Sequence, residues 1–352
     1  MAFRRAHHVL FRLPRGQDTP SLSAAVATAT AGAGILCWCS TNEASSTISV
    51  TQCEGTVATL PAAVVEATKH PTPVTTLYLV RHAESTWNAA FSRKNPDWPE
   101  WLTYLLDPVP ILTDKDHPIT SEGARQCASL RQRIIAASMA NDSDAQAIIG
   151  SNTLIASSPL TRSVVTAALT LAPLEQEEQK AILLLPAARE SDAHWFYGRD
   201  SLGTKASDIA ARVESVLLKH GSGNATLDMS VMGNKEVWWS EGDEDDSAMT
   251  GRLQQLLQDI VAAAQKKNKK AIILTTHSLI IRRLFRAMLD APSINQAAKS
   301  DPGVGELLGK QSIMNCGCVA VDIIPSADGR SLRITRPRML FDTEFASFSP
   351  II

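Results

Sequence analysis

The chain has 352 residues and a formal net charge of -2, enough for one large domain with an extension or for two modest domains. So even a charge balance removes the electrostatic case for a nucleic-acid partner, which depends on clustered Lys and Arg. The six cysteines (Cys37, Cys39, Cys53, Cys127, Cys316 and Cys318) are too scattered for a small secreted disulfide scaffold. Their two Cys-x-Cys pairs also lack a second ligand pair at zinc spacing, and no metal site is expected.

Residues 1–74 differ in texture from the rest. Arg4, Arg5, Arg12 and Arg15 precede the first acidic residue, Asp18, and Thr19 to Thr41 carries no charge. A basic, acid-poor start reads as an organellar targeting segment, mitochondrial or plastid, without which the chain would be cytoplasmic. The uncharged stretch reaches the ~20 residues that span a bilayer, but its Ala, Gly, Ser and Thr make it weakly apolar. A membrane-contacting anchor and a disordered tail are the other two readings of this extension.

Residues 75–352 read as one folded α/β domain. Leu77 to Val80, opened by Thr76, is a short apolar run and predicts a buried strand. Ser121 to Ala140 predicts a helix with Thr120 or Ser121 as its N-cap. Thr153 to Ala156 predicts a strand, Leu160 to Leu171 a helix, Ala181 to Leu185 a strand and Ser207 to Lys219 a helix. After Gly251, the apolar residues Leu253, Leu256, Leu257, Ile260, Val261 and Ala264 repeat at helical spacing. Ala271 to Leu274 predicts a strand and Leu279 to Leu289 a helix. Val319 to Ile323 and Leu332 to Ile334 predict a hairpin around Asp328-Gly329. The alternation implies a three-layer α/β/α fold with a mostly parallel central sheet, whose ligands bind beyond the carboxyl ends of the strands.

The residues that follow those strands carry the chemistry. They are Arg81-His82-Ala83-Glu84-Ser85, then Ser157-Ser158-Pro159-Leu160-Thr161-Arg162, then Arg189-Glu190, then Thr275-Thr276-His277-Ser278. Guanidinium groups to hold an oxyanion, imidazoles for covalent or proton-transfer work, and a carboxyl to move a proton thus meet at one sheet edge. Other features carry less. The acidic run Glu241 to Asp246 lacks the spacing of a calcium loop and reads as a solvated loop. Trp238-Trp239 reads as core, and Gly221-Ser222-Gly223-Asn224 as a turn.

Leu79-Val80-Arg81-His82-Ala83-Glu84-Ser85-Thr86-Trp87-Asn88 resembles the signature of the histidine phosphatase superfamily, the phosphoglycerate-mutase-like proteins. Three further segments match in order: Asp116 to Gln126, Ser157 to Ala167, and Thr275-Thr276-His277-Ser278, where many members have Gly in place of Ser278. The resemblance covers about residues 75 to 324. It implies that His82 is a nucleophile that becomes phosphohistidine, with Arg81, Arg162 and His277 around the phosphoryl oxygens and no metal or other cofactor. It implies Glu190 as general acid; Asp192, close by, is a candidate substitute but reads better as a surface residue. Ser85 and Asn88 match positions that help bind phosphate. Ser158 is a further candidate, through backbone N–H groups at its turn.

The stretch after Asn88 lacks the Phe-Thr-Gly-Trp-type segment of the mutases, and Glu190 is not followed by their Arg-His-Tyr-Gly. Both departures favour a phosphatase over a mutase, while the intact site residues argue against a non-catalytic scaffold. The substrate expected is a phosphorylated small molecule or a phosphoprotein. The segments 84–116 and 191–246 are expected to form the walls that select it.

Overall fold

The computed structural model describes residues 74–92, 115–171, 181–191, 201–223, 225–239, 244–290 and 303–346. The expected extension up to residue 73 lies outside them, as do Asp192 and, within the two expected specificity segments, residues 93–114 and 192–200. Among the described residues, no helix is long and apolar enough to cross a membrane.

The elements run β1 (Thr75–Arg81), α1 (Thr86–Ser92), α2 (Ser121–Met139), α3 (Ser143–Ile149), β2 (Thr153–Ser157), α4 (Thr161–Thr170), β3 (Ile182–Leu184), α5 (Ile209–Lys219), β4 (Leu227–Asp228), α6 (Asp246–Lys266), β5 (Ala271–Thr276), α7 (Ser278–Met288), α8 (Val304–Lys310), β6 (Cys318–Pro325) and β7 (Leu332–Leu340). The seven strands form one sheet in the order β4-β3-β2-β5-β1-β6-β7. The first five in that order run parallel, and the β6–β7 hairpin adds two antiparallel strands beyond β1.

Strands with both faces covered should be apolar throughout, and this one sheet separates two cores. Leu77, Leu79, Leu154, Ala156, Ile272 and Leu274 face α6, α7 and α8. Tyr78, Val80, Ile155, Ile182 and Ile273 face α2, α3, α4 and α5. The architecture is therefore the expected three-layer α/β/α sandwich.

The helix ends follow local chemistry. Thr120 caps α2 by accepting from Gly123 N at 3.0 Å. Asp142 and Asp245 do the same for α3 and α6 at 2.8 and 2.7 Å. The turn expected near Gly221 closes α5: Gly221 has φ +70°, a conformation that favours glycine. Helix α6 begins at Asp246, five residues before the periodic run becomes readable, because Asp245 starts it from the acidic stretch. Helices α1, α3 and α8 and strand β4 lie in segments for which no element was expected.

Candidate active site

The parallel register explains how distant residues meet. Strand β1 pairs with β5 so that Arg81 lies opposite Thr276, and His82 and His277 therefore leave the sheet side by side. The His82 N–H continues the ladder to Thr276 O at 2.9 Å. The two imidazole centroids are 5.1 Å apart and the rings are tilted by 57°. On the other side of β5, β2 ends at Ser157, and α4 follows with Arg162 in its first turn. Beyond β2, β3 leads into a 3-10 turn, Pro186–Ala188, and then Arg189 and Glu190. His82, Arg81, Arg162, His277 and Glu190 thus gather at the carboxyl ends of four neighbouring strands.

His82 is buried, and its Nδ1 lies 2.7 Å from Ala83 O. A carbonyl oxygen only accepts, so Nδ1 must carry the proton, leaving the lone pair on Nε2. Burial first, then the Arg162 and Arg81 charges, hold the His82 pKa well below its ordinary 6.5. His277 is depressed by burial, then by Arg162, His82, Arg252 and Arg81. Both rings are therefore neutral near pH 7. His277 Nε2 meets Ser158 Oγ at 2.8 Å and Ser163 Oγ at 3.3 Å, while its Nδ1 is 3.9 Å from Glu190 Oε2.

Arg162 is fully buried. Arg81 donates through Nη1 to Ile313 O at 2.6 Å. Burial lowers Arg81 to about 10, opposed by Glu190. Arginines so near a neutral imidazole are suited to a multiply charged oxyanion. Glu190 Oε1 accepts from Ser191 N at 3.0 Å. Arg189, grouped with the site on sequence, instead approaches Glu244 at 3.8 Å.

Three expected phosphate-site residues have partners within the protein. Ser158 was expected to offer backbone N–H to an anion, but its N–H is already donated to Thr275 O at 2.9 Å and its hydroxyl serves His277. Ser85 and Asn88 engage each other at the start of α1. Ser85 N and Oγ lie 3.2 and 3.1 Å from Asn88 Oδ1, and Asn88 N donates to Ser85 Oγ at 3.2 Å.

The remaining motif residues position the site, a use that their sequence pattern alone did not reveal. Buried Asp116 accepts from Thr161 N at 2.7 Å, Thr161 Oγ1 at 2.6 Å and Thr204 Oγ1 at 2.7 Å. It thereby caps α4, whose own N-cap Leu160 has no capping side chain, and so fixes Arg162. Thr166 Oγ1 takes the Ala83 N–H at 2.9 Å and donates to Arg162 O at 2.6 Å, tying the two arms together. Glu84 is held from three sides: its N–H by Gln126 Oε1 at 2.9 Å, its carbonyl by Thr120 N at 2.9 Å, and its carboxylate by Thr120 Oγ1 at 2.7 Å. Gly123 permits this approach, since a Cβ there would stand 2.4 Å from Glu84 O.

Outside the motifs, Asn315 Nδ2 donates to His82 O at 2.9 Å. Arg282 is another buried guanidinium, and the Glu190 charge acts on it. Trp238 is core, as expected, and donates to Thr204 O at 2.8 Å. Among the described residues, no group of three or more His, Cys, Asp or Glu is placed to hold a metal ion.

No family model matches the chain, and no curated protein matches it. Among solved structures, the chain is similar to the ecdysone phosphate phosphatase of Bombix mori, at 16% identity and a TM-score of 0.42, over 79% of this chain and 97% of that one. It is similar to a phosphoglycerate mutase of Bacillus anthracis, at 16% identity and 0.40, over 76% and 93%. It is also similar to a phosphoserine phosphatase of Entamoeba histolytica, at 15% identity and 0.37, over 78% and 97%. Likeness at this level transfers no residue roles, which rest on the geometry above.

Proposed function

We propose that this chain is a phosphatase of the histidine phosphatase type that hydrolyses a phosphomonoester without a metal. The observation that carries the reading is the state of His82: a neutral ring whose Nδ1–H is held by Ala83 O and whose Nε2 lone pair is free, under the charges of buried Arg162 and of Arg81. In the first step Nε2 attacks phosphorus, the bond from phosphorus to the leaving oxygen breaks, and Glu190 protonates that oxygen. In the second, Glu190 takes a proton from water as the water oxygen bonds phosphorus and the nitrogen–phosphorus bond breaks, which regenerates His82. Arg81, Arg162 and His277 surround oxyanion charge throughout, where fixed donors lower the barrier most. The substrate is a phosphorylated small molecule or a phosphoprotein.

Hydrolysis of p-nitrophenyl phosphate by the full chain in EDTA tests this, with wild type beside His82→Ala. The variant should lose about 10^3-fold or more in kcat, and rapid alkali quenching of the wild type should trap an alkali-stable, acid-labile phosphoenzyme. Undiminished activity in His82→Ala would sink the assignment. An inactive but folded wild type that interconverts phosphoglycerates would turn it into a mutase.

A further inference from the structure

Glu190 stands on a short turn rather than in a helix or strand, so something else must fix its direction. The turn makes local bonds, Ala188 N to Leu185 O at 2.9 Å and Arg189 N to Pro186 O at 3.1 Å. Its three successive carbonyls are all engaged from outside. Thr276 Oγ1, next to His277, donates to Ala188 O at 2.9 Å. A single nitrogen of α6, Arg252 Nη1, donates to Ala187 O at 2.9 Å and to Arg189 O at 2.8 Å. The rest of that guanidinium is gripped by Glu244, through Nε at 2.8 and 3.1 Å and Nη2 at 2.6 Å. The pair is well buried, with side chains 7% and 13% exposed, and Arg189 also leans on Glu244.

Within the acidic run expected to be a solvated loop, Asp245 and Asp246 are exposed as expected, Glu244 is not, and 241–243 lie outside the described residues. The run's described residues have three separate jobs: Glu244 clamps Arg252, Asp245 caps α6, and the exposed Asp246 pairs with Arg283. A planar guanidinium with five fixed donors can hold a carboxylate on one edge and two carbonyls on another, which an ammonium cannot. The Arg252 charge also helps keep His277 neutral.

We infer that Arg252 and Glu244 are a positioning pair that sets the turn 186–191 and thereby aims Glu190 at the leaving oxygen. The inference deepens the proposed function and rests on Glu190 being its general acid. The alternative is that α6 supports the turn by packing alone, since Met249 shares a core with Leu185 and Ala188.

The two can be separated by the leaving group. p-Nitrophenolate needs little protonation and an alkoxide needs much, so mis-aiming the acid should slow alkyl phosphates selectively. In the full chain, Arg252→Gln should lower kcat for ethyl phosphate roughly ten-fold more than kcat for p-nitrophenyl phosphate, the size seen for residues that orient a catalytic group. In a Glu190→Gln background the same substitution should add almost nothing. Arg252→Lys, which keeps the charge and the stem, should show the same split and stands in if Arg252→Gln melts early. Equal losses on both substrates, or the full loss repeated on top of Glu190→Gln, would overturn the pair. If Glu190→Gln alone shows no leaving-group dependence, the acid assignment has failed, and the inference with it. A split in Glu190→Gln with none in either Arg252 variant refutes the positioning pair and leaves the acid standing.

Discussion

The two arms of the site are held by different means. The nucleophile arm, Arg81 to Ser85, continues a central strand and is fastened by Thr276 O, Thr166, Asn315 and Gln126 of α2. The acid arm, 186–191, hangs on a three-residue strand and is fastened through its carbonyls by Thr276 and Arg252. The first arm is held by the sheet's own ladder, whereas the second depends on side chains that reach its carbonyls. Substitutions around the nucleophile should therefore cost stability and activity together. Those behind the acid should cost activity according to the leaving group.

Asp116→Ala should break the comparison hardest on the nucleophile side. It strands the buried donors of Thr161 and the half-buried hydroxyl of Thr204. At about 1 kcal/mol or more for each unsatisfied group, a loss of about 3 kcal/mol in urea unfolding is expected. A loss below about 1 kcal/mol would show that α4 keeps its place, and Arg162 with it, without this cap. Gly123→Ala comes next. Its new Cβ would meet backbone rather than a flexible side chain, so α2 must back away from Glu84 at a cost of about 2 kcal/mol. kcat/KM should fall alongside, and an unchanged kcat/KM would mean that Glu84 moves without disturbing His82.

The smallest effect is a matter of pH. The folded pKa values of His82 and His277 lie below the 6.5 of an unfolded histidine. As pH drops below 6.5, the unfolded chain therefore binds protons that the folded chain refuses, and stability declines with acid. His82→Asn removes one such group, so the loss of stability between about pH 7.5 and about pH 5.5 should be smaller in that variant than in wild type. An equal or steeper loss would mean that the ring is not held neutral.

The sequence exposed what is local and periodic. Buried strands such as Leu77 to Val80 and the cap at Thr120 follow from short-range patterns, and the site residues follow because each lies just beyond a strand. What it hid is long-range. Asn315 and the carbonyl it holds are 233 residues apart, and nothing in the run Ile313 to Gly317 marks a partner. Arg252 sits in a helix whose apolar stripe was plain, but its fork reaches carbonyls 65 and 63 residues earlier. The acidic run read as solvated because composition reports charge density and not burial, which for Glu244 is decided by α6. The bond from Ser158 N–H to Thr275 O could not be read because β2 and β5 have no register until they pair.

Strand β5 has a consequence for synthesis. It lies between β1 and β2, although both precede it in the chain by more than a hundred residues. Until Ala271 to Thr276 leaves the ribosome, the two older strands have no neighbour between them, and each presents an open apolar edge of the kind that recruits other chains. Closing the gap joins residues far apart in sequence, which is slow. The nascent protein is thus most vulnerable late, when most of its residues are made and the strand that completes its centre is not. The same insertion means that a chain ending before Ala271 contains His82, Arg162 and Glu190 but lacks the strand that brings them together.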